Sequence, residues 1–176
     1  MSLYLVESVI DSEVKTKDAF EQKVGEIKAQ VEKNQVNLVE VQVSKDFSRA
    51  IFIFESEDQA TINSSLSDLG VSVELVKEVR LVGKELDDVK QQADQVNYLV
   101  EWNLPEDLTM DKYLERKKKN SVHYAEVPEV SFSRTYVCED MSKCLCFYDA
   151  PDEDAVKRAR EAVNTPLDSI TEINNN

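Results

Sequence analysis

The sequence predicts an α+β fold made of two tandem copies of one βαββαβ unit. Three observations carry that expectation. Residues 94 positions apart match without a gap, strand-like and helix-like patterns follow one order in both halves, and turn residues recur at corresponding places. Tyr4-Leu5-Val6-Glu7 returns as Tyr98-Leu99-Val100-Glu101. The same offset pairs Glu21 with Glu115, Val36 with Val130, Val43 with Val137, Asp46 with Asp140, Ser48 with Ser142, Asp58 with Asp152 and Glu78 with Glu172.

The first element, residues 3–9, alternates and is rich in Tyr, Leu and Val, which predicts a strand. Residues 16–33 place Phe20, Val24, Ile27 and Val31 at helical spacing. Residues 36–44 alternate as a second strand, Lys45-Asp46-Phe47-Ser48 is a polar turn, and Ala50-Ile51-Phe52-Ile53-Phe54 returns as a buried strand. A helix begins at Ser56, carries Ile62, Leu66 and Leu69, and stops at Gly70; residues 71–82 form the last strand. In the second copy the corresponding segments are strands 97–103, 129–138, 143–149 and 168–173 and helices 109–126 and 152–163, with Pro151 near the helix start, where its missing N–H is harmless. With right-handed crossovers, each copy becomes a ferredoxin-like antiparallel sheet with both helices on one face. The expected domains are 1–82 and 97–173, with a polar linker at 83–96 and a frayed tail at 174–176. Each sheet would leave its other face bare. The two are therefore expected to press those faces together as a fused pseudo-dimer, with a ligand most readily held between them.

Composition narrows the partners. The chain has 176 residues, 41% of them hydrophobic, and a formal net charge of −14. Such an excess of carboxylates repels phosphate backbones and anionic lipid, so neither nucleic acid nor membrane is expected as a partner. No segment approaches the ~20 apolar residues that span a bilayer, and the start has no signal-like pattern, so the expected location is the cytoplasm. Only three glycines occur, so a glycine-rich phosphate loop is absent.

The candidate chemistry gathers in the second copy. Taking Val41, Val43, Ile51 and Ile53 as helix-facing pairs Val43 with Ile51 and Val41 with Ile53, and by the offset Val137 with Leu145 and Thr135 with Phe147. The other face then receives Cys138, Cys144 and Cys146, Tyr136 and Tyr148, and Arg134. Three thiols on one face suit a soft metal, though buried cysteines also act as small hydrophobes, and a Cys138–Cys144 disulfide is a third reading. Glu101, mid-strand, suits a buried pair with Arg134 or a general base tuned by burial. His123, the single histidine, suits a helix C-terminus or a ligand role. Lys118 and Ser121 replace the apolar Val24 and Ile27 of the first copy, inside the basic run Glu115-Arg116-Lys117-Lys118-Lys119. That loss suggests a helix shifted or opened over a pocket bordered by Tyr113 and Tyr124.

Tyr98-Leu-Val-Glu101, Arg134-Thr-Tyr-Val137, the run Cys146-Phe-Tyr148-Asp149-Ala150-Pro151-Asp152 and Pro166-Leu-Asp-Ser-Ile-Thr-Glu172 resemble a bacterial family, domain of unknown function 4242. The resemblance covers residues 97–173. It implies a ferredoxin-like fold and the binding of a small ligand or of a divalent transition metal such as nickel. Cys146, Glu101 and Arg134 match the family pattern, whereas the histidine that members often carry in the second helix has no counterpart in 154–163. The expected function is therefore a small-ligand or metal-binding protein, a monomer acting as a pseudo-dimer or a homo-oligomer. The alternatives are an α+β-barrel-type enzyme of the monooxygenase or isomerase class, using His123, Glu101 or Tyr136 for proton transfer, or a protein interaction module.

Overall fold

The computed structural model describes residues 1–11, 14–91 and 95–174. They form two compact units: residues 1–79 belong to unit 1 and 95–174 to unit 2, while in the joining segment 80–88 go with unit 2 and 89–91 with unit 1. Residues 92–94 of the expected linker, and all of the expected tail except Asn174, lie outside the described residues.

Unit 1 runs β1 (Ser2–Val9), α1 (Lys17–Lys33), β2 (Asn37–Ser44), β3 (Arg49–Ser56), α2 (Gln59–Asp68) and β4 (Val73–Val82), whose last residues pass into unit 2. A short helix, α3 (Leu86–Gln91), follows in the joining segment. Unit 2 continues with β5 (Tyr98–Asn103), α4 (Met110–Asn120), a 3-10 segment Ser121–Glu126, β6 (Ser131–Cys138), β7 (Lys143–Asp149), α5 (Glu153–Ala162) and β8 (Ser169–Asn174). The strand order is β4-β1-β3-β2 in unit 1 and β8-β5-β7-β6 in unit 2, antiparallel throughout. This is the α+β, ferredoxin-like repeat that the sequence predicts.

Local chemistry explains the elements and recurs in both copies, at the same offset except for the first cap, which shifts by one residue. Thr16, Asp58, Thr109 and Asp152 cap α1, α2, α4 and α5, each accepting a hydrogen bond from a backbone N–H of the first turn. Gly70 (φ 69°) and Asn164 (φ 52°) end α2 and α5 in the left-handed region, where Val71 N–H donates to Leu66 O and Thr165 N–H to Arg160 O. Each β1-type strand carries a glutamate paired with the first residue of the third strand: Glu7 with Arg49 at 2.7 Å and Glu101 with Lys143 at 3.0 Å. Ser169 also donates to Glu101, at 2.9 Å. α1 buries Phe20, Ile27 and Val31 against Val6, Phe52 and Phe54 of the sheet. Such burial contributes about 1.5–3 kcal/mol per side chain.

The hairpin register differs from the expected one by a single residue. Val43 pairs with Ala50 and Val41 with Phe52, not with Ile51 and Ile53; Val137 pairs with Cys144, not Leu145, and Thr135 with Cys146. The cause is the turn. Phe47 (φ 56°) and Met141 (φ 62°) both adopt the left-handed conformation, and their N–H groups close tight turns onto Ser44 O and Cys138 O. Bulky side chains rarely occupy that region, so the sequence gives no cue to it. A one-residue slip exchanges the faces of a whole strand. Phe52, Phe54, Cys144, Cys146 and Tyr148 therefore face the helices, while Ile51, Ile53, Leu145 and Phe147 take the other face. A bulge lies between Leu38 and Glu40, and again between Phe132 and Arg134. It leaves Phe132 on the helix face although Arg134, Tyr136 and Cys138 face away.

Candidate functional site

The corrected register separates the three thiols. Cys144 and Cys146 stand side by side beneath the helices of unit 2, and Cys138 is on the opposite face. All three are buried free thiols, so the Cys138–Cys144 disulfide is not formed. Among the described residues no three His, Cys, Asp or Glu side chains gather as a metal-holding group. Tyr148 joins the two thiols on the helix side. Arg134 and Tyr136 are fully buried on the far face, where the Arg134 guanidinium donates to Ser133 Oγ at 2.7 Å and lies over the Phe147 ring at 5.3 Å. Glu101 shares that face and pairs with Lys143. His123 sits in the exposed 3-10 segment, paired with Glu126 at 2.7 Å, and Lys118 points from α4 into solvent.

A small pocket lies where the sequence suggested an opened helix. Where α1 is one helix to Lys33, its counterpart ends at Asn120 and continues as the 3-10 segment. The gap beneath is bordered by Tyr113 and Tyr124, floored by Trp102, Cys144 and Cys146, and closed by Arg160 of α5, with Arg116 and Lys117 at its edge. Its volume is about 20 Å³, room for roughly one water molecule.

Within it runs a continuous polar network. Arg160 is 3% exposed, and its Nη1 donates to Tyr148 Oη at 3.1 Å and to Cys146 Sγ at 3.5 Å, while Nη2 donates to Pro166 O. Tyr148 and Tyr124 share a hydroxyl–hydroxyl hydrogen bond of 2.6 Å. Thr135 Oγ1 donates to Cys146 Sγ at 3.2 Å. Stacking fixes the walls: Tyr124 lies parallel to Phe132 at 5.4 Å, Arg116 caps Trp102 at 5.7 Å, and Lys117 Nζ sits 4.2 Å from the Phe132 ring centre. The Nε atoms of Arg116 and Arg160 are buried without a hydrogen-bond partner.

The electrostatics follow from this arrangement. The Cys144 thiol holds Cys146 well below the usual thiol range, helped against burial by Lys117, Arg160 and Thr135. Cys144 is pushed up by its hydrogen bond to Cys146 and by burial. The two sulfurs thus titrate as a pair, Cys146 drawn down and Cys144 drawn up. Burial raises all three phenols, Tyr124 to about 12. Burial works against the charge of Arg160, but Cys146 and Tyr148 outweigh it and raise its pKa.

Comparison with unit 1 shows what is unusual. Shifted by 94, Cys146 falls on Phe52, Tyr148 on Phe54 and Arg160 on Leu66, all buried apolar residues of the first core. One unit fills this place with hydrocarbon and the other with a charged network. Cys144 and Cys146 were legible as candidates, and Arg116 and Lys117 as members of the basic run, but Arg160 and Trp102 were not. The signal for Arg160 was present: it lies on the stripe of Val156 and Ala159, where the first copy keeps Leu66.

Residues 98–173 match the family model described as nickel responsive protein SCO4226-like. This supports the resemblance of the second copy to a nickel-binding ferredoxin-like family. No curated protein matches the chain. Among solved structures, TA0507, provisionally named a chlorite dismutase, superposes with a TM-score of 0.53 at 12% identity, covering 99% of this chain and 95% of that one. A protein provisionally named a monooxygenase, from Lactobacillus acidophilus NCFM, gives 0.52 at 9% identity, covering 99% and 94%. At such identities the likeness shows the fold alone. No helix among the described residues is long and apolar enough to cross a membrane.

Nickel finds a poor donor set in this pocket. Two sulfurs are present without imidazole or carboxylate, and a guanidinium stands 3.5 Å from one of them. A divalent cation there would face Arg160 and Lys117 across a few ångströms.

Proposed function

We propose that this chain is a small-ligand-binding protein whose working site is the pocket beneath α4, and that the ligand is a small anion or polar molecule and not nickel. One observation carries the reading: the apolar triad Phe52, Phe54 and Leu66 of unit 1 is replaced in unit 2 by Cys146 and Arg160, which line a cavity, and by Tyr148, which accepts a hydrogen bond from Arg160. Burying a thiolate, a phenol and a guanidinium costs more than burying hydrocarbon, and a ligand gives a reason to retain them. The buried, unpartnered Arg160 Nε and the edge cations Arg116 and Lys117 favour negative charge in the ligand.

The test uses Trp102, the single tryptophan, which floors the pocket. Protein purified without chelator is titrated separately with sodium azide and with nickel sulfate, following Trp102 fluorescence, and its metal content is measured by mass spectrometry. The expected result is a saturable azide response that Arg160→Leu abolishes, with substoichiometric nickel. Stoichiometric nickel lost in Cys146→Ser, or silence toward both probes, overturns the reading.

A further inference from the structure

We propose that the pocket also makes Cys146 a selective nucleophile toward hydrogen peroxide. The inference rests on the pocket being the working site of unit 2, and adds a reaction to the binding reading. The geometry has three parts. The sulfur of Cys146 lines a cavity of about 20 Å³, so the space beside it admits a molecule of water-like girth. Arg160 Nη1 and Thr135 Oγ1 both point donors at that sulfur, at 3.5 and 3.2 Å, an arrangement that favours thiolate over thiol. Cys144 lies two residues earlier on the same strand face, within hydrogen-bond reach of that sulfur.

The step balances within these groups. The Cys146 thiolate attacks one peroxide oxygen, and the O–O bond breaks. The sulfur is oxidised by two electrons to a sulfenic acid and the peroxide is reduced. The departing hydroxide takes the Cys144 proton and leaves as water. A Cys144–Cys146 disulfide is not the product. Residues two apart on a strand have Cα atoms about 6.6 Å apart, so although the two thiols lean together into a hydrogen bond, a disulfide, which needs Cβ atoms about 3.5–4.5 Å apart, would distort the strand. The sulfenic acid therefore persists long enough to be trapped.

The main comparison is made within the wild-type protein, because Cys138 is an internal reference: equally buried, on the other face, and pushed up by burial. The protein is treated with hydrogen peroxide at pH 7 for timed intervals, the peroxide is removed with catalase, and the chain is then unfolded in urea containing a sulfenic-acid-trapping dione, which is too bulky for the closed pocket; each cysteine peptide is quantified by mass spectrometry. The expected result is trapping at Cys146 at least tenfold faster than at Cys138, or than at any cysteine of the urea-unfolded chain. Arg160→Lys should slow it, and the bulky cumene hydroperoxide should react far more slowly than hydrogen peroxide. Equal labelling of Cys138 and Cys146, or faster labelling of the unfolded chain, overturns the proposal. An azide response at Trp102 without Cys146 labelling overturns the peroxide reaction and leaves the binding site standing. Labelling of Cys146 that saturating azide does not slow places the reaction outside the pocket, and overturns it too.

Discussion

Breaking the Arg160–Cys146 pair should cost more than removing both partners. In Arg160→Leu the side chain of the first copy, Leu66, is restored at the matching position while the Cys146 sulfur is left buried with its guanidinium gone. Stranding one member of a buried pair costs about 3–5 kcal/mol. The new leucine recovers part of this through apolar burial, and Cys146 limits the damage by taking up a proton. The net loss expected is about 2–4 kcal/mol. Cys146→Ala alone removes a small buried side chain, and the double variant leaves neither charge behind, so the two changes should couple by about 1–3 kcal/mol. Trp102 lies in this pocket, so urea unfolding followed by its fluorescence reports unit 2 directly. The coupling also has a pH signature. Because the folded state lowers the Cys146 pKa, its ionisation contributes fully above the unfolded thiol value of about 8.5 and is lost as pH falls through the lowered one. A cycle additive within ~0.5 kcal/mol at pH 8 would refute an ionic role for this pair.

Three further perturbations probe the frame. Gln35 is exposed and sits just after α1 with φ 63°, so Gln35→Gly should stabilise unit 1 by about 1 kcal/mol, seen as a higher midpoint in chemical denaturation. Gly83 has φ 95°, and a Cβ there would lie 2.9 Å from the Phe132 ring; Gly83→Ala should destabilise by about 1–3 kcal/mol, checked by calorimetry. Lys90, 2.7 Å from Glu55, holds that carboxyl below its usual range. Its contribution is therefore present above pH ~4.3 and fades as pH falls through the lowered value, so Lys90→Met should flatten the fall in melting temperature between neutral and acid pH.

Element order was legible because it rests on quantities that the chain states locally. Period-2 and period-3.6 hydrophobicity and Gly70 as a stop each act within a few residues, and the repeat states the hydrophobic pattern twice. Register was not legible, because it depends on two non-glycine residues, Phe47 and Met141, taking φ near +60°. The error is the same in both copies because the turn is the same in both. The repeat that made the elements certain therefore gave no independent check on the faces.

The site was half legible for the same reason. Reading the second copy by itself drew attention to reactive residue types, and so to Cys138 and His123, which lie away from the pocket. Reading it against the first copy draws attention to positions where a core residue has changed chemistry, and this picks out Cys146, Tyr148 and Arg160 together. The second criterion is the stronger because the first copy shows what packing alone requires at each position. Phe54 and Leu66 are fully buried in unit 1, so hydrocarbon is sufficient there. Tyr148 and Arg160 at the same places bring hydrogen-bonding demands that packing did not impose; Arg160 bonds Tyr148 and Cys146 but keeps its Nε unpartnered. If the network existed only to fill unit 2, replacing the triad by Phe, Phe and Leu should raise its stability with no other consequence. Its loss of the azide response and of Cys146-dependent peroxide chemistry would show instead what that stability is exchanged for.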